Sequence, residues 1–182
     1  MKRPSYHLTA ASVFVILAMF SVFMGAPALG QDKFSVKEVP AFSYACLPCQ
    51  GPYSTFGDKI GELTQFLQAQ NIAPMGPLIG VFYSDPNLTK PENLQWEIGF
   101  PVMESNVQAP LRFRQWTFTT VLEGTYTGPY EKSPGIYADM MAWLEANGFV
   151  QAGPIMEKYL SDPNSTKPED YKTEIWVPCR KK

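Results

Sequence analysis

Gly76–Val102 reads GPLIGVFYSDPNLTKPENLQWEIGFPV, and Gly153–Cys179 reads GPIMEKYLSDPNSTKPEDYKTEIWVPC. The two stretches align without a gap at a constant offset of 77 residues, pairing Pro77 with Pro154, Asp85 with Asp162, Glu97 with Glu174 and Pro101 with Pro178. The same offset joins Gly51-Pro52-Tyr53 to Gly128-Pro129-Tyr130, and Phe66-Leu67 to Trp143-Leu144. A fixed period marks one supersecondary unit written twice. Repeat one covers about 33–103 and repeat two about 110–180, within a single domain over 31–182. A central site is then expected where the copies face each other, and the positions at which they differ are the informative ones. Foremost is Gly80, whose counterpart is Glu157.

Within each quoted stretch, Ser-Asp-Pro-Asn at 84–87 and 161–164 is a strong turn signal. Proline presets φ, and the Asx side chains bond nearby amides. Strands are therefore expected at 77–83 and 94–100, and again at 154–160 and 171–177. Working outward, Ile60, Leu63, Phe66 and Leu67 fall on one helical face, as do Ile136, Met140, Trp143 and Leu144. Ser133 is the expected cap of the second helix and Gly148 its end. Near-alternation from Phe34 to Cys46, and from Phe113 through Trp116 and Phe118 to Leu122, predicts an opening strand for each copy. The order is strand-helix-strand-strand, twice. Two such units make an α+β fold: an antiparallel sheet with helices on one face and a ligand cleft at the pseudo-twofold.

Alternate residues of a strand share a face, so Ile155, Glu157 and Tyr159 point the same way. The equivalent face of copy one carries Leu78, Gly80 and Phe82, with a gap where Glu157 has a side chain. A carboxylate among rings is costly unless solvated, protonated or paired. An incoming cation or hydrogen-bond donor would supply that partner, with cation–π attraction from the rings. Glu157, Tyr159, Phe82 and Trp116 are the expected ligand-binding residues. Glu97 and Glu174 recur in both copies, which points to a structural or surface role.

Composition narrows the function further. Lys2 and Arg3, the apolar run Val13–Met24 and Ala26-Pro27-Ala28 read as a cleaved export signal over 1–30, implying a periplasmic or secreted domain. The 15 basic residues then fall by these two against 17 acidic ones, leaving an acidic surface that repels phosphate backbones, so no nucleic-acid partner is expected. The lone histidine, His7, belongs to the same segment. Without histidine, Ser-His-Asp, Cys-His and zinc-imidazole chemistries fall away, and neither cofactor nor metal is expected. Cys46-Leu47-Pro48-Cys49 has thioredoxin-like spacing, but Gly51-Pro52 interrupts any helix after it. A bridge between these two, one from either to Cys179, and idle thiols all remain open, with thiol exchange the weakest reading.

The duplicated order, the Gly-Pro-Tyr elements and the Pro154–Tyr159 and Thr173–Pro178 segments resemble the gyrase-inhibitor-like small-molecule-binding family. That fold also serves as the effector-binding domain of AraC-type and MerR-type multidrug regulators. The resemblance implies an aromatic-lined cavity between the repeats with a carboxylate at the position of Glu157. It implies a binding protein for a small, partly apolar, cationic or polar-tipped molecule. Since some members are hydrolases of electrophilic compounds, catalysis through Glu157 is the alternative. No helix-turn-helix precedes the domain, so transcriptional control is not implied.

Overall fold

A computed structural model describes residues 33–103 and 106–182; the proposed export signal lies outside the described residues. The strands are β1 (Phe34–Glu38), β2 (Phe42–Gln50), β3 (Leu78–Phe82), β4 (Gln95–Pro101), β5 (Arg112–Trp116), β6 (Thr120–Thr127), β7 (Phe149–Gln151), β8 (Ile155–Tyr159) and β9 (Lys172–Lys181). The helices are α1 (Phe56–Ala69), between β2 and β3, and α2 (Pro134–Ala146), between β6 and β7. All pairings are antiparallel, and the sheet runs β1-β6-β9-β8-β3-β4-β2-β5, with β7 beside the end of β9. The expected α+β class and antiparallel sheet are what is found.

At the centre, β3 pairs with β8 so that Gly80 stands directly opposite Glu157, its counterpart 77 residues on. The residue with no side chain and the residue with a carboxylate are therefore cross-strand neighbours. Each Gly-Pro-Tyr corner has its glycine at positive φ, +114° at Gly51 and +138° at Gly128, a conformation open to glycine at little cost. A short 3₁₀ turn, Tyr53–Thr55 or Tyr130–Lys132, then leads into each helix.

Alternation places one set of side chains under the helices. Leu63 and Leu67 of α1 pack on Ala45, Leu47, Trp96 and Ile98; Ile136, Met140 and Leu144 of α2 pack on Leu122, Ile175 and Val177. The other set forms a third core on the opposite face, with Tyr44, Ile79, Val81, Trp116, Met156 and Trp176. Each fully buried aliphatic side chain here contributes about 1.5–3 kcal/mol.

Two expectations are corrected. Each opening strand is broken, at 39–41 and at 117–119, and its first part leaves its own repeat. β1 pairs with β6, and β5 pairs with β2. The breaks meet, the Val39 amide donating to the Thr119 carbonyl at 2.7 Å. Pro40 has no amide to continue a ladder, so the chain can turn there at low cost. Ser133, in turn, makes no side-chain cap; it is already helical, and the preceding 3₁₀ turn supplies its amide with the Tyr130 carbonyl. Gly148 ends α2 as expected, at φ +74°.

Candidate functional site

Glu157 points from β8 toward the helices and keeps only part of its surface open. Tyr159 donates its hydroxyl to Glu157 Oε2 at 2.6 Å, and Tyr137 of α2 donates to Oε1. No lysine or arginine is ion-paired with this carboxylate among the described residues. Burial pushes its pKa above the ordinary carboxylate value, and the two phenol bonds oppose the shift without cancelling it. The same charge and burial hold the Tyr137 and Tyr159 phenols strongly protonated, so both remain donors.

Rings close over this charge. Phe56, at the start of α1, lies 5.1 Å from Tyr159 and stacks on Phe82 at 6.3 Å and on Trp96 at 5.6 Å. Tyr53 meets Phe82 edge-on at 5.1 Å. On the other side Tyr130 meets Tyr159 at 5.5 Å and stacks on Tyr171 at 5.0 Å. Gly80 leaves room for this packing: a Cβ there would stand 2.9 Å from the Phe82 ring and 3.2 Å from Phe56. The Thr173 hydroxyl, on the strand beside Tyr159, is buried without a hydrogen-bond partner among the described residues. Such an enclosure can exchange ring–ring contacts for the rings of a guest and offer the guest a carboxylate.

Of the four expected ligand residues, Glu157, Tyr159 and Phe82 come together here. Trp116 does not. Its strand registers with β2 so that Trp116 faces Phe42, on the side away from the helices. There it is 2 % exposed and packs on Phe118 at 5.0 Å and Trp176 at 6.5 Å. The sequence reading missed Phe56, Tyr53, Tyr130 and Tyr137. The paired Gly-Pro-Tyr corners did carry a signal for Tyr53 and Tyr130, since both tyrosines recur at one place in the repeat. Tyr137 and Phe56 have no aromatic counterpart and could be found only through the packing of the helices.

The repeated glutamates take different surroundings on the opposite face. Glu97 is 2 % exposed and accepts from Tyr44 at 2.6 Å, Tyr83 at 2.7 Å and Cys46 Sγ at 3.3 Å, with Arg114 Nε at 3.7 Å. Glu174 pairs with Lys158 at 3.1 Å. Neither reaches Glu157.

The thiol readings close. Cys46 and Cys49 sit on β2 with Cys46 on the Glu97 face and Cys49 toward α1, so alternation separates them. Cys179 lies in the α2 core, and all three thiols are free. Burial pushes Cys49 up to about 11 and Cys46 higher, which suppresses the reactive thiolate. Among the described residues no group of three His, Cys, Asp or Glu is arranged to hold a metal, and no helix is long and apolar enough to cross a membrane.

Comparison with known proteins bears on the fold and the family. The chain is similar to the C-terminal domain of EcmrR, with TM-score 0.72 and 18% identity, over 82% of this chain and 98% of that one. Against the EcmrR chain in its complex with DNA the TM-score is 0.74 at 18% identity, over 82% of this chain, which spans 57% of that longer chain. A hydrolase from Listeria innocua (TM-score 0.61, 14% identity, 81% and 92% covered) shares the fold. So does SAV2435, solved bound to tetraphenylphosphonium (TM-score 0.58, 12% identity, 81% and 93% covered). No curated protein matches the sequence. The description "GyrI-like small molecule binding domain" fits residues 32–180, and the chain belongs to that family.

Proposed function

We propose that this domain binds a small, partly apolar cation in the cleft over Gly80 and Glu157, as an exported sequestering or sensing protein. The observation that carries the reading is a single carboxylate beneath a roof of rings, held by two phenols and no cation. Isolated charge in such a place is costly, and a bound cation offsets that cost. Ring faces add about 0.5–2 kcal/mol each when desolvated. The rings touch in this structure, so a guest enters by displacing Phe56 or Phe82 from its stack. That a fold relative binds tetraphenylphosphonium agrees with the same chemistry. Export rests on the basic start, apolar run and small-residue pair of residues 1–30.

Calorimetry with tetraphenylphosphonium and the neutral triphenylphosphine oxide tests the site. Glu157→Gln is expected to weaken the cation by at least about tenfold and leave the neutral compound within twofold. Equal losses for the two compounds would end the reading. Cell fractionation tests export.

A second reading is hydrolysis. The raised basicity of Glu157, with two phenol donors on its oxygens, suits activation of a water for attack on an electrophile. Turnover of an electrophilic small molecule that disappears in Glu157→Ala would replace sequestration by catalysis.

A further inference from the structure

The face away from the helices carries an open cavity of about 710 Å³, inside the size range of small-ligand sites. The site at Glu157 makes no use of it. Val81, Trp116 and Phe118 form its apolar wall; Glu97, Arg112 and Arg114 are its charged groups. The Phe118 ring is set in place by Gly153, where a Cβ would stand 2.6 Å from it.

Charge on this face is unevenly divided. On the repeat-two side Lys37 bonds Glu123 and Lys158 bonds Glu174, so each cation meets its own carboxylate. On the repeat-one side two guanidinium groups, Arg112 and Arg114, stand against Glu97 alone. Arg114 approaches that carboxylate, while Arg112 has no acidic partner among the described residues. The oxygens of Glu97 are already engaged by Tyr44, Tyr83 and Cys46, which stabilise its charge and leave little of it to receive a second cation. Arg112, Arg114 and Trp116 occupy alternate positions of β5, so all three side chains leave the same face, neighbours about 7 Å apart.

We propose that this cavity is a second binding site, for a small carboxylate-bearing molecule with an aromatic or aliphatic body. The carboxylate bridges Arg112 and Arg114, whose planar donors match two acceptor oxygens. The body lies against the partly open Phe118 ring, which the buried Trp116 backs at 5.0 Å. The two sites then select opposite charges from opposite faces of one sheet.

The test is calorimetry of the full chain with 2-naphthoate and with 2-naphthylmethylamine. Arg112→Ala is expected to weaken 2-naphthoate by at least about tenfold, because charge-assisted bonds are lost from an exposed strand that does not need this side chain to fold. Arg112→Lys restores part of the affinity. Raising salt from 20 mM to 500 mM weakens the naphthoate, since the rim is open to screening. Glu157→Gln leaves naphthoate affinity unchanged. Absence of saturable 2-naphthoate binding, or equal affinity in wild type and Arg112→Ala, overturns the proposal, as does an equal loss in Glu157→Gln. Should 2-naphthoate behave as stated while neither tetraphenylphosphonium nor the amine binds, the cation reading of Glu157 fails and the carboxylate site stands.

Discussion

Glu97 and Glu157 are carboxylates on neighbouring parts of one sheet, and they face opposite ways. Glu97, on β4, is enclosed by two phenols, a thiol and an approaching guanidinium. Glu157, on β8, has two phenols and no cation. Phenol donors are thus common to both, and the cation is the difference. The repeat does not account for it, because the counterpart of Glu97 is Glu174, paired with Lys158, while the counterpart of Glu157 is Gly80. A buried carboxylate that supplies its own cation serves the fold. One left without a cation is poised for a partner from outside.

The largest expected effect breaks the comparison at Glu97. Glu97→Ala leaves the buried Tyr44 phenol without its acceptor and frees the half-exposed Tyr83 hydroxyl to water, and should lower unfolding free energy by about 3 kcal/mol in urea melts. A loss below about 1 kcal/mol would show that the cluster on that face is not structural.

Next in size is a pH effect at Glu157. Its pKa is raised by burial, so the folded state favours the protonated form, and ionisation destabilises the fold as pH rises through that value. Glu157→Gln should therefore melt higher than wild type at neutral pH, by about 2–4 °C for a change near 1 kcal/mol. The gap should close as pH falls below the ordinary carboxylate value of 4.5. A constant gap across that range would mean that the carboxylate pays no burial cost.

Cation affinity follows the same titration. Tetraphenylphosphonium should bind more weakly as acid protonates Glu157, up to about tenfold per pH unit below the raised pKa, and Glu157→Gln should show no such slope. An identical slope in both proteins would place the titrating group elsewhere.

Smallest in its effect on cation binding is Gly80→Ala. The new methyl would meet the Phe82 ring at 2.9 Å, so the ring must move. We expect a loss of about 1 kcal/mol or a little more and a change of a few-fold in cation affinity. Unchanged values for both would show that the gap opposite Glu157 is slack.

Much of the molecule was legible in one dimension. The 77-residue offset picked out Gly80 and Glu157, and alternation put Tyr159 on the same side as Glu157. Helical periodicity located both helices by the residues they bury. Trp116 went astray because alternation orders side chains only within a strand. Which way Trp116 faces relative to Glu157 depends on β5 joining β2, a pairing between residues more than 65 positions apart. Cys46 and Cys49 illustrate the converse: once their segment is a strand and not a helix, a spacing of three puts them on opposite sides.

By itself the sequence determined the 77-residue internal repeat, the α+β class and the one position where a charge replaces a glycine, since these follow from local periodicity and direct comparison of the copies. Tertiary structure alone decided that the opening strands exchange partners, that Phe56 and Tyr137 reach the carboxylate, and that Arg112 and Arg114 gather on the far face. Strand neighbours and helix docking are settled by nonlocal burial and hydrogen bonding, and those energies leave no fixed interval in the order of residues.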